Sequence, residues 1–265
     1  MTASPFQDIY HGAVSVKPAT PASQAMVAAM DPLLRKLLPE AEHPGDAEHV
    51  LGKEVMLQRV MPLRMKIRMW TGWNALVKQL LEEQGYDTEG VIFDTPHLRV
   101  APIDVESGDG SGDAPAAHRD TWSAHSGAQV NWWIPLYDLP REAALPIFPA
   151  YFKAAVANSS SGFDYLEIKR RTLFQDTEGE VVTAPTTTEP FDMSNEQRFA
   201  MNAAETLVFS GSHLHGGARN LSNRTRFSVD FRTVRRPDHD AGIGVANVDS
   251  AAVGSSLIDF YKFAA

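Results

Sequence analysis

The sequence predicts a mainly β fold with flanking helices, in which a helical N-terminal region packs on an antiparallel sandwich or barrel. Two observations predict this class. Apolar residues recur at helical spacing within residues 23–38 and 62–83, and many short strand-like segments follow from residue 91 onward. Helices that precede a long run of strands are typical of helices packed on an antiparallel sheet.

The size and composition of the chain are those of one large core. It has 265 residues, of which 43% are hydrophobic, and all-β or barrel domains of this length often remain single. We therefore predict one domain over residues 1–265. Its predicted parts are a mainly helical support over residues 1–90, a β core over residues 91–236 and a tail over residues 237–265.

Charge and cysteine content exclude several classes of protein. The net charge is -9, which argues against nucleic acid and anionic membranes as partners, because both bind Lys and Arg. The chain has no cysteine, which rules out disulfides, zinc–thiolate sites and a cysteine nucleophile. It shows no secretory signal and no apolar run near the roughly 20 residues that span a bilayer. We expect a soluble cytoplasmic protein of undetermined oligomeric state that acts on a small molecule.

The N-terminal part is predicted as an arm followed by helices. Residues 1–22 carry three prolines and few apolar residues, which indicates a loose arm. Residues 23–38 show helical spacing, and Pro62 can open a longer helix that runs to Glu83. The buried stripe predicted for that helix consists of Leu63, Ile67, Trp70, Val77 and Leu81.

The β core is predicted as short strands joined by loops. Strands are expected over residues 91–93, 98–103, 129–137, 178–183, 204–210 and 226–232. In the strand from Gln129, alternate residues point to opposite faces, so Asn131 and Trp133 face away from the apolar side. Residues 105–116 are rich in Gly, Ser and Asp, which fits either a lid over a site or a plain hairpin loop.

A metal site is predicted around His118 and Asp120. These residues are two positions apart beside a hydrophobic strand, and alternate residues of an extended chain project to the same side. His215, which follows the strand over residues 204–210, is the best distant partner, although His213 can also reach a metal. Two histidines and one carboxylate form the facial triad that binds Fe(II) in non-haem oxygenases and leaves three positions open.

The spacing of these residues resembles the phytanoyl-CoA dioxygenase superfamily of Fe(II)/2-oxoglutarate-dependent oxygenases. The resemblance rests on His118-x-Asp120 and on His215-Gly-x-x-x-Asn220-x-Ser222-x-x-x-Arg226. Finer motifs resemble a bacterial branch found in antibiotic biosynthesis of the streptomycin and hygromycin B type. They are the segments that begin His118-Arg-Asp-Thr-Trp, Val130-Asn-Trp-Trp-Ile-Pro, Phe148-Pro-Ala-Tyr and Asn158-Ser-Ser-Ser-Gly-Phe-Asp-Tyr.

The resemblance implies a double-stranded β-helix, a cupin-like jelly roll, for residues 91–236, with Fe(II) as its metal. The metal ligands that it implies are His118, Asp120 and His215. It favours His215 over His213, because the arginine that binds 2-oxoglutarate in this family lies eleven residues after the distal histidine, as Arg226 does.

The same resemblance implies the co-substrates and the reaction. Arg226 matches the residue that binds the distal carboxylate of 2-oxoglutarate, a task that suits a bidentate guanidinium. Ser228, Trp133 and Asn131 are implied as further contacts of this co-substrate. The implied reaction uses O2 to oxidise an unactivated C–H bond of a small polar specialised metabolite, by hydroxylation or oxidative cyclisation, with succinate and CO2 as co-products.

Two alternatives from other classes stay open. A cupin-like isomerase, lyase or hydrolase could use the same three ligands for another metal without 2-oxoglutarate. Arg226 argues against it, because such a protein needs no dedicated carboxylate anchor. A jelly-roll binding module without chemistry is the other alternative, since fold does not fix function.

Overall fold

The computed structural model describes residues 5–104, 116–124, 126–175, 182–217 and 219–263. The α-helices in these ranges are α1 Pro5–Tyr10, α2 Pro21–Leu37, α3 Ala47–Leu51, α4 Lys53–Arg68, α5 Trp73–Glu83, α6 Thr121–Ala124, α7 Tyr165–Phe174 and α8 Arg236–Asp240. The strands are β1 Ser15–Lys17, β2 Val91–Phe93, β3 His97–Ala101, β4 Gln129–Pro135, β5 Ile147–Phe148, β6 Thr206–Ser210, β7 Leu214–His215, β8 Arg226–Arg235 and β9 Tyr261–Lys262. No helix among the described residues has the length and apolar character needed to cross a membrane.

The larger sheet is antiparallel and is built around β8. Its strand order is β1-β6-β4-β8-β2-β9, and β3 also pairs with β8. The ten residues of β8 pair with β4 along one edge and with β3 and then β2 along the other. Every residue of β4 is buried, which fits its central place between β6 and β8.

A smaller antiparallel sheet faces the first one. It consists of β5 and β7, and an isolated bridge adds His118 beside His215. Apolar side chains of both sheets meet in one cluster that includes Trp133 and Phe209 from the larger sheet and Ile147 from the smaller one. Two antiparallel sheets packed together, with helices at their flank, confirm the predicted fold class.

The helices α2, α4 and α5 cover the outer face of the larger sheet. Their apolar residues share one core with Val130, Trp132 and Ile134, which project from one face of β4. The opposite face of β4 carries Asn131 and Trp133 into the space between the two sheets. The alternation predicted for this strand is therefore confirmed.

The prediction of a loose N-terminal arm is wrong. The helix α1 buries Phe6, Ile9 and Tyr10, and β1 pairs with β6 at the edge of the larger sheet. Two of the prolines that suggested a loose arm, Pro5 and Pro21, are the first residues of helices. Proline is tolerated there because the N–H group that it lacks has no partner within the helix.

The boundaries predicted for the second helix are also wrong. The chain forms two helices, α4 and α5, and Pro62 lies inside α4 rather than at a helix start. The indole Nε1 of Trp73 donates a hydrogen bond of 2.6 Å to the carbonyl oxygen of Ile67 and so joins the two helices across their break. Trp70 lies in this break and is 41% exposed, contrary to its predicted burial, whereas the other four members of the predicted stripe are buried.

The helix α7 was not predicted from the sequence. It has no buried residues, and therefore lacks the apolar stripe that reveals a helix in a sequence. Asp164 begins it, because its carboxylate accepts hydrogen bonds from the backbone N–H groups of Leu166 and Glu167. The strand predicted over residues 178–183 and the loop predicted over residues 105–116 lie largely outside the described residues. The domain limits stay a prediction.

Candidate metal centre

The two histidines of the predicted triad are neighbours across the smaller sheet. His118 and His215 form an antiparallel bridge in which each N–H donates to the other's carbonyl oxygen at 3.0 Å. Their imidazole rings lie 4.4 Å apart between centroids. The pairing of two chain segments that are distant in sequence therefore places both imidazoles on the same face.

Asp120 completes the triad from the turn before α6. Its Oδ1 lies 3.6 Å from Nε2 of His118, and its Oδ2 lies 3.7 Å from Nε2 of His215. One ligand atom from each of the three residues lies within 4.8 Å of the others, which suits a single shared cation. Asp120 and His215 are buried, and His118 is partly exposed.

The hydrogen bonds of the two imidazoles leave Nε2 of each ring available to bind a metal. Nδ1 of His118 lies 3.0 Å from the carbonyl oxygen of Ala116, and Nδ1 of His215 lies 2.9 Å from that of His213. A carbonyl oxygen only accepts, so each Nδ1 carries a proton, and Nε2 is the ring nitrogen that faces Asp120 in both residues. Burial, and then the neighbouring His118, lower the pKa of His215 to about 4, which keeps this imidazole neutral at pH 7.

The carboxylate of Asp120 is kept ionised. Burial alone would raise its pKa, but the nearby Arg232 guanidinium and the two imidazoles outweigh this effect and hold the pKa well below its usual range. Asn131 Nδ2 donates a hydrogen bond of 2.5 Å to Oδ2 of Asp120. The three donor groups of the site are therefore two imidazoles and one anionic carboxylate, a set that suits a divalent cation of borderline softness.

Arg226 and Ser228 place unpaired polar atoms next to Trp133. The Nε atom of Arg226 and the Oγ atom of Ser228 are buried and have no hydrogen-bond partner among the described residues. The guanidinium lies 5.4 Å from the centroid of the Trp133 ring, and its NH1 donates 2.8 Å to the carbonyl oxygen of Ala143. A buried guanidinium whose Nε–H lacks a partner and a buried hydroxyl without a partner form a site suited to an anionic acceptor such as a carboxylate.

Arg119 lies between His118 and Asp120 in the His-x-Asp motif. Its side chain anchors the turn that carries these two residues. Its side chain is 1% exposed, and its Nε donates 3.1 Å to Asp249. Its other nitrogens donate to the carbonyl oxygens of Ser212, Tyr151 and Ala154. The ligand turn is thus held by three segments that are far apart in sequence, around residues 151–154, 212 and 249.

We expect Asp249→Ala to lower the free energy of unfolding by about 3–5 kcal/mol, because it leaves the Arg119 guanidinium buried without its carboxylate. The same change removes the acceptor of Trp122 Nε1, at 2.7 Å. Urea unfolding measures the loss. Asp240→Ala is the control, since its pair with Arg236 is exposed and worth about 0–1 kcal/mol. Equal losses in both variants would contradict this account.

His213 does not join the triad. It is fully buried, its ring stacks on Phe152 at 4.3 Å, and its Nε2 has no partner among the described residues. Burial lowers its pKa to about 4, so that it is neutral at pH 7. Its carbonyl oxygen accepts the Nδ1 proton of His215, and His213 therefore lies behind the metal site rather than in it.

Reasoning from the sequence missed Arg232, Asp94 and Asp249 as residues of the site. The alternation of β8 places Arg232 on its polar face, which is a usable signal for that residue. No local pattern marks the two aspartates. His97 lines the cavity beside Asp120, whereas Arg99 donates through Nε to Asp230 at 2.6 Å.

A cavity of about 810 Å³ opens beside Asp120. Its lining on the side of the metal site includes Asp120, Arg232 and His97, and its far side is formed by residues of α7 and of the segment before β9. Side chains of both charges and several aromatic rings line it. The cavity therefore offers a polar space for a small molecule next to the candidate metal ligands.

The chain is similar in structure to several solved proteins, but it matches no known sequence family. No family model and no curated protein matches the chain. The chain is similar to EvdO2 from Micromonospora carbonacea var. aurantiaca, with 11% identity, coverage of 89% of this chain and 91% of that one, and a TM-score of 0.47. EvdO2 has also been solved in complex with 2-oxoglutarate.

Two enzymes of nogalamycin biosynthesis show likeness of similar extent. The non-haem alpha-ketoglutarate-dependent epimerase SnoN is 15% identical, with coverage of 86% of this chain and 82% of that one and a TM-score of 0.41. The carbocyclase SnoK is 12% identical, with coverage of 88% and 84% and a TM-score of 0.42. Similarity at this level does not establish a shared activity or substrate, which have to be argued from the residues of the site.

Proposed function

We propose that this protein is a non-haem Fe(II)/2-oxoglutarate-dependent dioxygenase. The observation that carries the proposal is the triad of His118, Asp120 and His215, whose ligand atoms lie within 4.8 Å of one another. The proposed reaction oxidises an unactivated C–H bond of the substrate by hydroxylation or oxidative cyclisation, and forms succinate and CO2 from 2-oxoglutarate and O2.

The donor atoms of the triad fit Fe(II). Two imidazole nitrogens and one carboxylate oxygen are the ligand set typical of iron sites that keep open positions for substrate and oxygen. The Nδ1–H groups of His118 and His215 are tied to carbonyl oxygens, which orients each Nε2 before any metal binds. Iron and 2-oxoglutarate, when bound, supply the oxidation of the C–H bond by O2.

Arg226, Ser228 and Trp133 fit the far end of 2-oxoglutarate. The guanidinium Nε and the Ser228 hydroxyl are buried polar atoms without a partner among the described residues, and a carboxylate can accept a hydrogen bond from each. The indole ring of Trp133 lies beside the guanidinium. These residues would bind and orient the co-substrate and exclude water from its carboxylate.

Asn131, which the resemblance to the superfamily implies as a contact of the co-substrate, has a different partner. It donates to Oδ2 of Asp120 and is 5% exposed. We infer that it acts on the metal ligand, and that a contact of Asn131 with 2-oxoglutarate is secondary to this hydrogen bond.

The proposed substrate is a small polar specialised metabolite, in keeping with the motifs that resemble enzymes of antibiotic biosynthesis. The cavity of about 810 Å³ next to Asp120 supports a small-molecule substrate. Its mixture of charged, polar and aromatic side chains suits a molecule with both hydrogen-bonding groups and a ring. The cytoplasmic location predicted from the sequence stays a prediction.

The Nε atom of Arg226, which has no hydrogen-bond partner among the described residues, also argues against a metal-dependent isomerase, lyase or hydrolase. Such an enzyme would use the same three ligands without an anionic co-substrate, and the buried guanidinium would then carry an unsatisfied donor for no purpose. Dependence on 2-oxoglutarate therefore separates the two classes.

Anaerobic addition of Fe(II) and 2-oxoglutarate is expected to give the weak visible charge-transfer band of the iron–oxoacid chelate. The band arises only when both groups bind together, so Fe(II) alone and 2-oxoglutarate alone serve as controls. An absorption titration at fixed Fe(II) measures it. Tight metal binding without any band at saturating 2-oxoglutarate would refute the proposed function in favour of the alternative class.

A further inference from the structure

The carboxylate of Asp120 is held on both of its oxygens by the larger sheet. Arg232 NH1 donates 3.2 Å to Oδ1, and Asn131 Nδ2 donates 2.5 Å to Oδ2. Asn131 and Arg232 are direct cross-strand partners on β4 and β8, so their side chains project from the same face of the sheet. Two donors on adjacent strands therefore bind the two oxygens of one carboxylate.

Arg232 is itself fixed by Asp94, which directly follows β2. Its Nε donates 2.5 Å to Oδ2 of Asp94, and its NH2 contacts the same oxygen. The backbone of Arg232 is bound as well: its N–H donates 2.5 Å to Oδ1 of Asp94, and its carbonyl oxygen accepts from the N–H of Asp94 at 3.0 Å. Side chain and main chain of one residue are thus held by one buried aspartate, which is 9% exposed.

Asp94 and Arg232 both remain charged at neutral pH. Burial raises the pKa of Asp94 to about 6, which leaves it ionised at pH 7 beside the guanidinium. Burial by itself would lower the pKa of Arg232, but Asp94 and Asp120 outweigh it and raise the pKa. Arg232 therefore lies as a cation between two carboxylates.

The geometry leaves defined lone pairs of Asp120 for a metal. An ionised carboxylate offers about four acceptor positions, two on each oxygen. Arg232 and Asn131 occupy one position on each oxygen, and the sides that face His118 and His215 remain. A carboxylate without these donors could rotate about its Cβ–Cγ bond and present a different edge.

We propose that Arg232 is a positioning residue for the metal site: held by Asp94, it fixes, together with Asn131, the plane of the Asp120 carboxylate. Arg232 touches no metal in this arrangement and acts only through Asp120. The inference depends on the proposed function solely in that Asp120 is taken to be a metal ligand.

A double-mutant cycle with Ni(II) as the probe tests this role. Calorimetric titration of untagged protein, without 2-oxoglutarate, measures the affinity of wild type, Arg232→Gln, Asp94→Asn and the double variant. We expect each single change to weaken Ni(II) binding by about 10–100-fold. The double variant should bind no more weakly than Arg232→Gln, because Asp94 acts through Arg232. Arg232→Lys should recover part of the affinity, because its ammonium keeps the positive charge and can donate to Asp120, although it lacks the two-sided geometry of the guanidinium.

Arg235→Gln is the matched control for these variants. It lies on the same strand and forms an arginine–aspartate pair of 2.7 Å with Asp238, with 28% of its side chain exposed against 20% for Arg232. We expect its Ni(II) affinity to stay within about twofold of wild type, because no contact joins it to Asp120. The visible spectrum of the Co(II)-loaded protein should change in Arg232→Gln and not in Arg235→Gln.

A merely structural role gives a different result. Loss of stability lowers the folded fraction, which thermal unfolding reports, but leaves the affinity and the Co(II) spectrum of the folded fraction unchanged. Wild-type affinity in folded Arg232→Gln, or fully additive losses in the double variant, would overturn the inference. The wild type could bind Ni(II) and yet give no charge-transfer band with Fe(II) and 2-oxoglutarate. That result would overturn the proposed function but not the role of Arg232, because the double-mutant cycle measures Ni(II) affinity only.

Discussion

Replacing His215 with asparagine is expected to abolish iron-dependent turnover of 2-oxoglutarate. Asparagine can keep the hydrogen bond that Nδ1 of His215 donates to the carbonyl oxygen of His213, but it has no atom at the position of Nε2. That atom lies 3.7 Å from Oδ2 of Asp120 and is the proposed third ligand. Fe(II) affinity and succinate formation, measured together, should both fall below detection.

His213→Asn is the control for this prediction, because it makes the same chemical change two residues away. Nδ1 of His213 lies 3.3 Å from the carbonyl oxygen of Ser210, a contact that asparagine can keep. The variant loses the ring that stacks on Phe152, so we expect a stability loss of about 1–3 kcal/mol but retained iron binding. Loss of iron in His213→Asn with retention in His215→Asn would move the proposed ligand to His213.

Replacing Arg226 with methionine is expected to weaken 2-oxoglutarate binding while iron still binds. Truncating one partner of a buried, hydrogen-bonded charge pair costs about 2–5 kcal/mol, which corresponds to roughly 30-fold to several thousandfold in affinity. Iron affinity should change by no more than about threefold, a difference below 1 kcal/mol, because Arg226 contacts none of the three ligands. Titration of the charge-transfer band measures the first quantity, and calorimetry measures the second.

The stability of Arg226→Met gives an independent measurement. Burial and neighbouring charges lower the pKa of Arg226 to about 10, and its Nε has no partner among the described residues. A methionine of similar length removes this unpaired charge, so the free energy of unfolding without co-substrate should be unchanged or higher. Arg224→Met, which alters only an exposed pair with Asp46, should leave co-substrate affinity unchanged. Equal loss of iron and 2-oxoglutarate affinity in Arg226→Met would contradict its role as the anchor.

The grouping of two of the three candidate metal ligands could be predicted because its signal is local. His118 and Asp120 share one short segment, and the alternation of an extended chain places them on the same side. The resemblance to the superfamily favoured His215 over His213 through its spacing to Arg226, and the geometry brings His215 to Asp120. The face of β4 that carries Asn131 and Trp133 was predicted on the same ground, since a period of two is a property of the strand itself.

The helical boundaries could not be predicted, because tertiary contacts decide them. Pro62 is a common first residue of a helix, yet here it lies in the interior of α4. The break before α5 is closed by the hydrogen bond from Trp73 to Ile67, a contact that no periodicity reveals. The helix α7 escaped prediction because it buries no residue, so it has no apolar stripe to detect.

The sequence by itself determined the fold class, since this follows from short-range periodicity. It also determined the chemical identity of the three candidate ligands, through residue type and the resemblance to a known superfamily. Only the tertiary structure decided what holds those ligands. Asp94 and Arg232 are 138 residues apart, and Arg119 and Asp249 are 130 apart. Such pairs form because the order of strands in the larger sheet and the return of the C-terminal segment bring charges together in a buried space. Burial then makes each pairing strong, and this effect leaves no mark in the sequence around either partner.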